Sequence, residues 1–248
     1  MAFLRIGSQP SSSPVRIITV RTLLAPSPLA SGELIIDGDE AHHGLRVLRL
    51  KPGELVRLSD GAGLVANAEV TAAGRDLRLQ VGPIEQMPAE RCAELTVAVA
   101  PPKGDRWTDL VRGLTELGVG AIRPLRCARG ERELASLDRA RRVACEALKQ
   151  SRRGWLPRLG PAIDIVALAA AGGRLIIGDP AGGPPVPGRP TPTTLVVGPE
   201  GGLTPDETST LVAAGAVRVR LAGPVLRIET AALAAAAVWA SAWEHDEL

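Results

Sequence analysis

An apolar run that stops on glycine occurs twice in the last third of the chain, in RLIIGDP (174–180) and TLVVGPE (194–200). Runs without polar alternation are buried on both faces, as central strands of a parallel sheet are. ELTVAVA (94–100) is a third such strand. GDRWTDLVRGLTELGV (104–119) follows as a helix, with Trp107, Leu110, Val111, Leu114 and Leu117 on one face and Gly118 at its stop. A strand around GAIRPL (120–125) precedes a second amphipathic helix, SLDRARRVACEALKQS (136–151), with Ser136 as N-cap. TPDETSTLVAAG (204–215) opens on a capping box, Thr204 with Glu207, and carries Pro205 at the first helical position. AVRVRL (216–221) is one more strand. IETAALAAAAVWASAW (228–243) is a helix apolar nearly all round, suited to another helix or to a partner subunit. Strand and helix alternating from 94 to 243 define an α/β domain with a mainly parallel sheet.

The first third has another rhythm. From about Val15 to Val81 short strand-like runs are broken by turn signals. ELIID (33–37) is one, ELVRLSDGAGLVANAEV (54–70) reads as a hairpin turning at Asp60-Gly61, and DLRLQV (76–81) alternates cleanly. Between them DEAHHGLRVLRL (39–50) is a short helix with Leu45, Val47 and Leu48 as its apolar residues. Several strands with one small helix suggest a compact β-barrel module. GPIEQMPAER (82–91) breaks the pattern and reads as a linker. The expected organisation is an extension at 1–14, a β module at 15–83, a linker at 84–92 and an α/β domain at 93–248.

Composition narrows the chemistry. Net charge is only +2 over 248 residues, but Arg126 to Arg158 holds ten Arg/Lys against four Asp/Glu. That run is either a solvated helix face or a surface for RNA phosphates. Three cysteines, Cys92, Cys127 and Cys145, lie far apart without a C-x-x-C pair, so neither a disulfide framework nor a zinc site is expected. No 18-residue apolar run suggests a membrane span, and the start is too short in its apolar core for a secretory signal. A cytoplasmic setting is the expectation.

Ligands of parallel sheets bind beyond the carboxyl ends of the strands. Three strand ends here carry unusual loops: IIGDP, VVGPEGG and RLAGPVLRIET. GPEGG is neither a dinucleotide fingerprint nor a P-loop, no lysine follows it, and Glu200 would oppose a phosphate. No G-x-S-x-G elbow is present. Gly201 and Gly202 either serve only a sharp turn or leave backbone groups bare for a planar, neutral ring. A cationic adenosyl cofactor such as S-adenosylmethionine matches the second reading, since its sulfonium tolerates a nearby carboxylate.

LVVGPEGGLTPDE followed by VRLAGPVLRIETAALAA, with PPKGDRWTDLVRGLTELGV upstream, resembles the RsmE family, bacterial 16S rRNA (uracil-N3)-methyltransferases of the SPOUT class. The likeness extends over nearly the whole chain from about Val15. HHGLRVLRLKPGELVRLSDGAG is similar to the family's N-terminal PUA-like RNA-binding module, and EALKQSRRGWLP to its central segment. The resemblance implies a trefoil-knotted parallel-sheet methyltransferase domain behind a PUA-like β-barrel, a homodimer, and S-adenosylmethionine folded into the knot. Its implied reaction is methylation of N3 of uridine 1498 in 16S rRNA of the small ribosomal subunit. Two departures stand out. Pro224 occupies a position where the family often carries arginine, and RCARGERE (126–133) matches loosely.

The cofactor walls implied are Ile177 and Gly178, then Val197, Gly198, Pro199, Glu200, Gly201 and Gly202. The third loop adds Leu221, Gly223, Leu226 and Arg227, and the last helix adds Thr230 and Ala231. Arg227 is expected to stabilise negative charge on the uracil oxygens. Glu200 or Glu229 is expected to take or direct the N3 proton, although Glu229 also suits the helix N-terminus on electrostatic grounds alone. Expected phosphate contacts are Arg46, Arg49 and Lys51 on the small module and Arg141, Arg142, Arg152 and Arg153 on the larger one. His42 either stacks on RNA or packs within its own helix. The rival readings are a ribose 2′-O-methyltransferase of the same class and a non-catalytic RNA-binding assembly factor.

Overall fold

A computed structural model describes residues 21–130 and 136–244. The expected extension at 1–14, the approach from Val15, and part of RCARGERE lie outside these residues. Strands β1 (Arg21–Leu24), β2 (Gly32–Ile36), β3 (Leu55–Ser59), β4 (Leu64–Ala73) and β5 (Leu77–Gln86) form one sheet in the order β1-β3-β4-β5-β2. β1 and β3 are parallel and the other neighbours antiparallel. Alternation along β4 and β5 buries Ala68, Val70, Leu77 and Leu79 against Leu23 and Leu58.

Two local expectations are corrected. β5 does not stop at Val81 but runs to Gln86, into the segment read as a linker, because Leu64–Ala66 pair with Ile84–Gln86. The Gly82-Pro83 punctuation is absorbed by a register shift between Ala66 and Ala68, where a proline costs no ladder bond. The segment 39–50 is a short α1 (Gly38–His42) continued by a π-helical turn, His43–Val47, with Leu48 N–H donating to the His43 carbonyl at 3.0 Å. The widened turn breaks 3.6-residue spacing. Leu45 and Leu48 still reach the core, but Val47 turns outward and is 64% exposed.

The second sheet is parallel throughout. It comprises β6 (Leu95–Val99), β7 (Ala121–Arg126), β8 (Arg158–Leu159), β10 (Arg174–Gly183), β11 (Thr193–Val197) and β12 (Val217–Val219) in the order β12-β10-β11-β6-β7-β8, with β9 (Ile163–Asp164) also on β7. Both faces are covered, which is why the strands read as unbroken apolar runs. Val97, Val99, Ile176 and Leu195 face α2 (Arg106–Glu116) and α6 (Ile228–Glu244). Ala98, Leu175, Ile177 and Val196 face α4 (Ile165–Ala170) and α5 (Pro205–Ala213). α3 (Leu137–Ser151) packs on α2, and Ser136 caps it by accepting from Arg139 N–H.

The two sheets are held together by buried polar groups. Lys149 of α3 is 7% exposed and reaches Glu40 of α1 at 3.0 Å and Glu146 at 2.7 Å. Glu40 also accepts from Leu24 N–H at 2.9 Å. Burial pushes the Lys149 ammonium down, but the Glu146 and Glu40 carboxylates outweigh it and hold the group above its usual value. The β3–β4 turn docks alongside: Gly63 N–H donates to the Gly154 carbonyl at 2.9 Å and Leu156 N–H to the Gly61 carbonyl at 2.9 Å. Arg153, expected on the phosphate surface, points inward instead. It pairs with Glu90 and donates to the Thr115 carbonyl, because the left-handed turn at Arg152 after α3 folds the chain back on the junction. Burial lowers its pKa to about 10.

Gly63 has φ +99°, and a Cβ there would collide with the Trp155 ring. Gly63→Ala should therefore cost about 2–4 kcal/mol, combining backbone strain with overpacking. Gly53→Ala, at φ +86° with open space around it, should cost only the strain, about 1–2 kcal/mol. Urea unfolding followed by tryptophan fluorescence compares the two.

Candidate functional site

Parallel register brings three strand ends to one level: Ile177 lies beside Val196, and Gly178 beside Val219. Beyond them opens a cavity of about 250 Å³. The β10 loop contributes Ile177, Gly178 and Asp179 to it, and the β11 loop Val197, Gly198, Pro199, Glu200 and Gly202. Leu221 and Leu226 come from the loop after β12, and Ala231 from the first turns of α6. Four of the expected wall residues do not border it: Gly201, Gly223, Arg227 and Thr230. Gly201 offers its carbonyl to Arg129, and Gly223, Arg227 and Thr230 are exposed. Leu203, Thr208, Arg220 and Ile228 border the cavity and were not legible as wall residues.

The GPEGG turn is fixed from both sides. Gly202 N–H closes it on the Pro199 carbonyl at 2.8 Å, and Gly202 sits at φ +69°, a region that favours glycine. Arg129 donates to the Gly201 carbonyl at 2.7 Å. Glu207 completes the expected capping box with Thr204, and its other oxygen accepts from Ala128 N–H at 2.6 Å. One carboxylate thus ties the start of α5 to the loop after β7.

Charge around the cavity is mixed. Asp179 accepts from Arg218 Nε at 2.7 Å and from Ala181 N–H at 2.8 Å, and the Arg218 bond holds its carboxyl below the usual range. Arg227 is exposed, and its side chain makes no hydrogen bond or ion pair among the described residues. Glu200 and Glu229 both stand within 4 Å of Arg106, at 3.7 and 3.8 Å. Arg106 went unnoticed as a site residue, although it lies in the KGDR segment that carries the family likeness. Oε2 of Glu229 is buried and has no hydrogen-bond partner among the described residues.

The other expected residues lie elsewhere. His42 and Arg46 line a separate open groove with Arg75 and Asp76 on the small module. Arg49, Lys51, Arg141, Arg142 and Arg152 are exposed. The three cysteines are free, and burial pushes Cys92 and Cys127 up to about 11, so neither is an activated thiol. Among the described residues no cluster of His, Cys, Asp and Glu suits a metal, and no helix is long and apolar enough to cross a membrane.

The chain matches a family model described as an RNA methyltransferase domain over residues 89–240 and one described as an RNA methyltransferase PUA domain over residues 36–81. It is 36% identical over 231 residues to ribosomal RNA small subunit methyltransferase E of Mycobacterium tuberculosis, covering 85% of this chain and 88% of that protein. Its identity to the protein of the same name from Synechocystis is 29% over 243 residues, covering 93% and 80%. The crystal structure of the Neisseria gonorrhoeae ribosomal RNA small subunit methyltransferase E bound to S-adenosyl methionine superposes with a TM-score of 0.79 at 26% identity, covering 90% of this chain and 98% of that one.

Asp179→Asn tests the Asp179–Arg218 tie. The folded carboxyl pKa is depressed, so its contribution is present above the unfolded value and is lost as pH falls through the folded one. The variant should be less stable than the parent at pH 7, and the difference should shrink below about pH 4. Urea midpoints measured across that range check the sign.

Proposed function

The chain belongs to the ribosomal RNA small subunit methyltransferase E family, and from that premise we propose that it methylates N3 of a uridine, uridine 1498, in 16S rRNA. The protein is an S-adenosylmethionine-dependent rRNA methyltransferase. The observation that carries the reading is the cavity at three adjacent strand ends, apolar through Ile177, Val197, Leu221 and Leu226, with two carboxylates, Asp179 and Glu200, against one guanidinium, Arg220, in its lining. That lining fits an uncharged adenine ring and a cationic sulfur.

Bound there, S-adenosylmethionine supplies an electrophilic methyl group: the N3–carbon bond forms as the sulfur–carbon bond breaks, the electron pair stays on sulfur, and the N3 proton leaves to a base. The walls at 177–180, 197–202 and 221–226 restrict the approach to one line, which is where most of the acceleration of such a transfer arises. Arg227, exposed next to the cavity-lining Leu226 and Ile228, stabilises negative charge on the uracil oxygens. Glu200 or Glu229 receives the proton. Arg46, Arg49, Lys51, Arg141, Arg142 and Arg152 hold phosphates. The target base leaves its stack to reach the site.

The same reading takes the loop after β12 as part of a trefoil knot and the small sheet as a PUA-like barrel, with domains at 15–83 and 93–248. The exposed Val225 and Val238, beside the cavity loop and on α6, support a homodimer interface. A cytoplasmic setting follows from the ribosomal substrate.

Undermethylated small subunits incubated with protein and labelled cofactor should yield 3-methyluridine on nucleoside mapping. A 2′-O-methyl product, or no product despite calorimetric cofactor binding, overturns the reading. Arg227→Ala should slow single-turnover transfer about 10²–10³-fold while leaving cofactor affinity nearly unchanged. Arg141→Ala with Arg142→Ala should lower the slope of log affinity against log salt by about 1.4–1.8, two released counterions, without changing the product.

A further inference from the structure

The charged side chains in the lining of the strand-end cavity are Asp179, Glu200 and Arg220. The backbone of Arg220 is fixed by an excursion of β10. Val219 pairs with Gly178 and again with Gly183, so residues 179–182 bulge out between the two pairings. Gly182 lets the chain return, since a Cβ there would stand 2.5 Å from Val219 N. Arg220 N–H then donates to the Gly183 carbonyl at 2.7 Å, which seats Arg220 beside the bulge that carries Asp179.

Alternation along the chain decides what each side chain meets. Val219 and Leu221 pack into the core under α2 and α6, so Arg218 and Arg220 turn the other way, and both are exposed. Arg218 has a partner. Its Nε donates to Asp179 Oδ2 at 2.7 Å, while Ala181 N–H donates to Asp179 Oδ1 at 2.8 Å. Both oxygens of Asp179 are thus engaged, and Arg218, not Arg220, matches its charge. Glu200 has its own cation, Arg106 at 3.7 Å. The Arg220 side chain makes no hydrogen bond or ion pair among the described residues. An arginine in open solvent needs no partner, but this one stands in a cavity wall. It is the only cation among the described residues that line it.

S-adenosylmethionine joins an adenosyl group to an amino acid through a cationic sulfur, and its methionyl end carries a carboxylate. Taking that carboxylate out of water without a donor is costly. A guanidinium meets both of its oxygens at once. We propose that Arg220 holds the methionyl carboxylate of S-adenosylmethionine, and that the Asp179–Arg218 pair keeps Arg220 free to do so. This rests on the assignment of the cavity to the cofactor under the proposed function. It makes the site selective for ligands that keep the carboxylate.

The test is calorimetry of the parent, Arg220→Met and Arg220→Lys with S-adenosylmethionine and with its decarboxylated analogue. The analogue keeps the adenosine, sulfonium and ammonium groups and lacks only the carboxylate. The parent should bind S-adenosylmethionine about 5–50-fold more tightly than the analogue, the range of one charge-assisted contact. Arg220→Met should weaken S-adenosylmethionine by that factor and leave the analogue unchanged, so that the preference disappears. Arg220→Lys should keep part of it. In methyl transfer to undermethylated small subunits, the cofactor KM of Arg220→Met should rise by the same factor, with kcat kept within about threefold. Equal losses for the two ligands overturn the proposal, since Arg220 then serves only the shape of the loop. So does a loss of affinity for the small subunit with the cofactor preference intact, which assigns Arg220 to an RNA phosphate. If Arg220→Met does not fold, Arg220→Gln decides by the same criteria. Leu226→Trp, which fills the cavity, should abolish calorimetric binding of S-adenosylmethionine by a folded protein. Parent-like affinity in that variant overturns the cofactor assignment of the cavity itself, whatever the Arg220 variants do.

Discussion

Parallel pairing of β12, β10 and β11 is the constraint on which the rest of the site depends. Each is bound to its neighbour in a register that sets Ile177 beside Val196 and Gly178 beside Val219, so the β10 chain leaves the level of the sheet where β11 and β12 end. A shift of one residue would exchange the side chains facing α6 for those facing α5. It would also separate Gly178 from the loop after β12. The cavity is therefore the place where three buried strands run out of sheet.

That arrangement explains why backbone and apolar groups dominate the lining. Glycine at 178, 198 and 202 brings main chain to the surface of the cavity. The turns are then stiffened from outside it, by Arg129 on the Gly201 carbonyl and by Glu207 reaching both Thr204 and Ala128. Charge in the lining is confined to Asp179, Glu200 and Arg220.

Much of this was legible in residue order. The apolar runs, the Thr204–Glu207 box and the Ser136 cap reported elements directly, because each rests on contacts within a few residues. What escaped depended on partners far along the chain. β5 overran its proline because β4 supplied a bulge opposite it. Arg153 carried the charge expected of a phosphate contact, but Glu90, sixty-three residues away, claimed it. Arg106 was visible as a letter and invisible as a site residue, since its two acids, Glu200 after β11 and Glu229 on α6, lie about a hundred residues further along the chain.

The junction between the sheets has a mechanical side. Lys149 with Glu40 and the glycine turn seated on Trp155 fasten the small module at two points, and Arg153 with Glu90 holds the segment that follows it. The span from the Arg46 groove to the cavity is thereby a constant of the fold, and the protein resembles a caliper with its jaws set. Any bending needed to fit such a tool falls to whatever is laid across it.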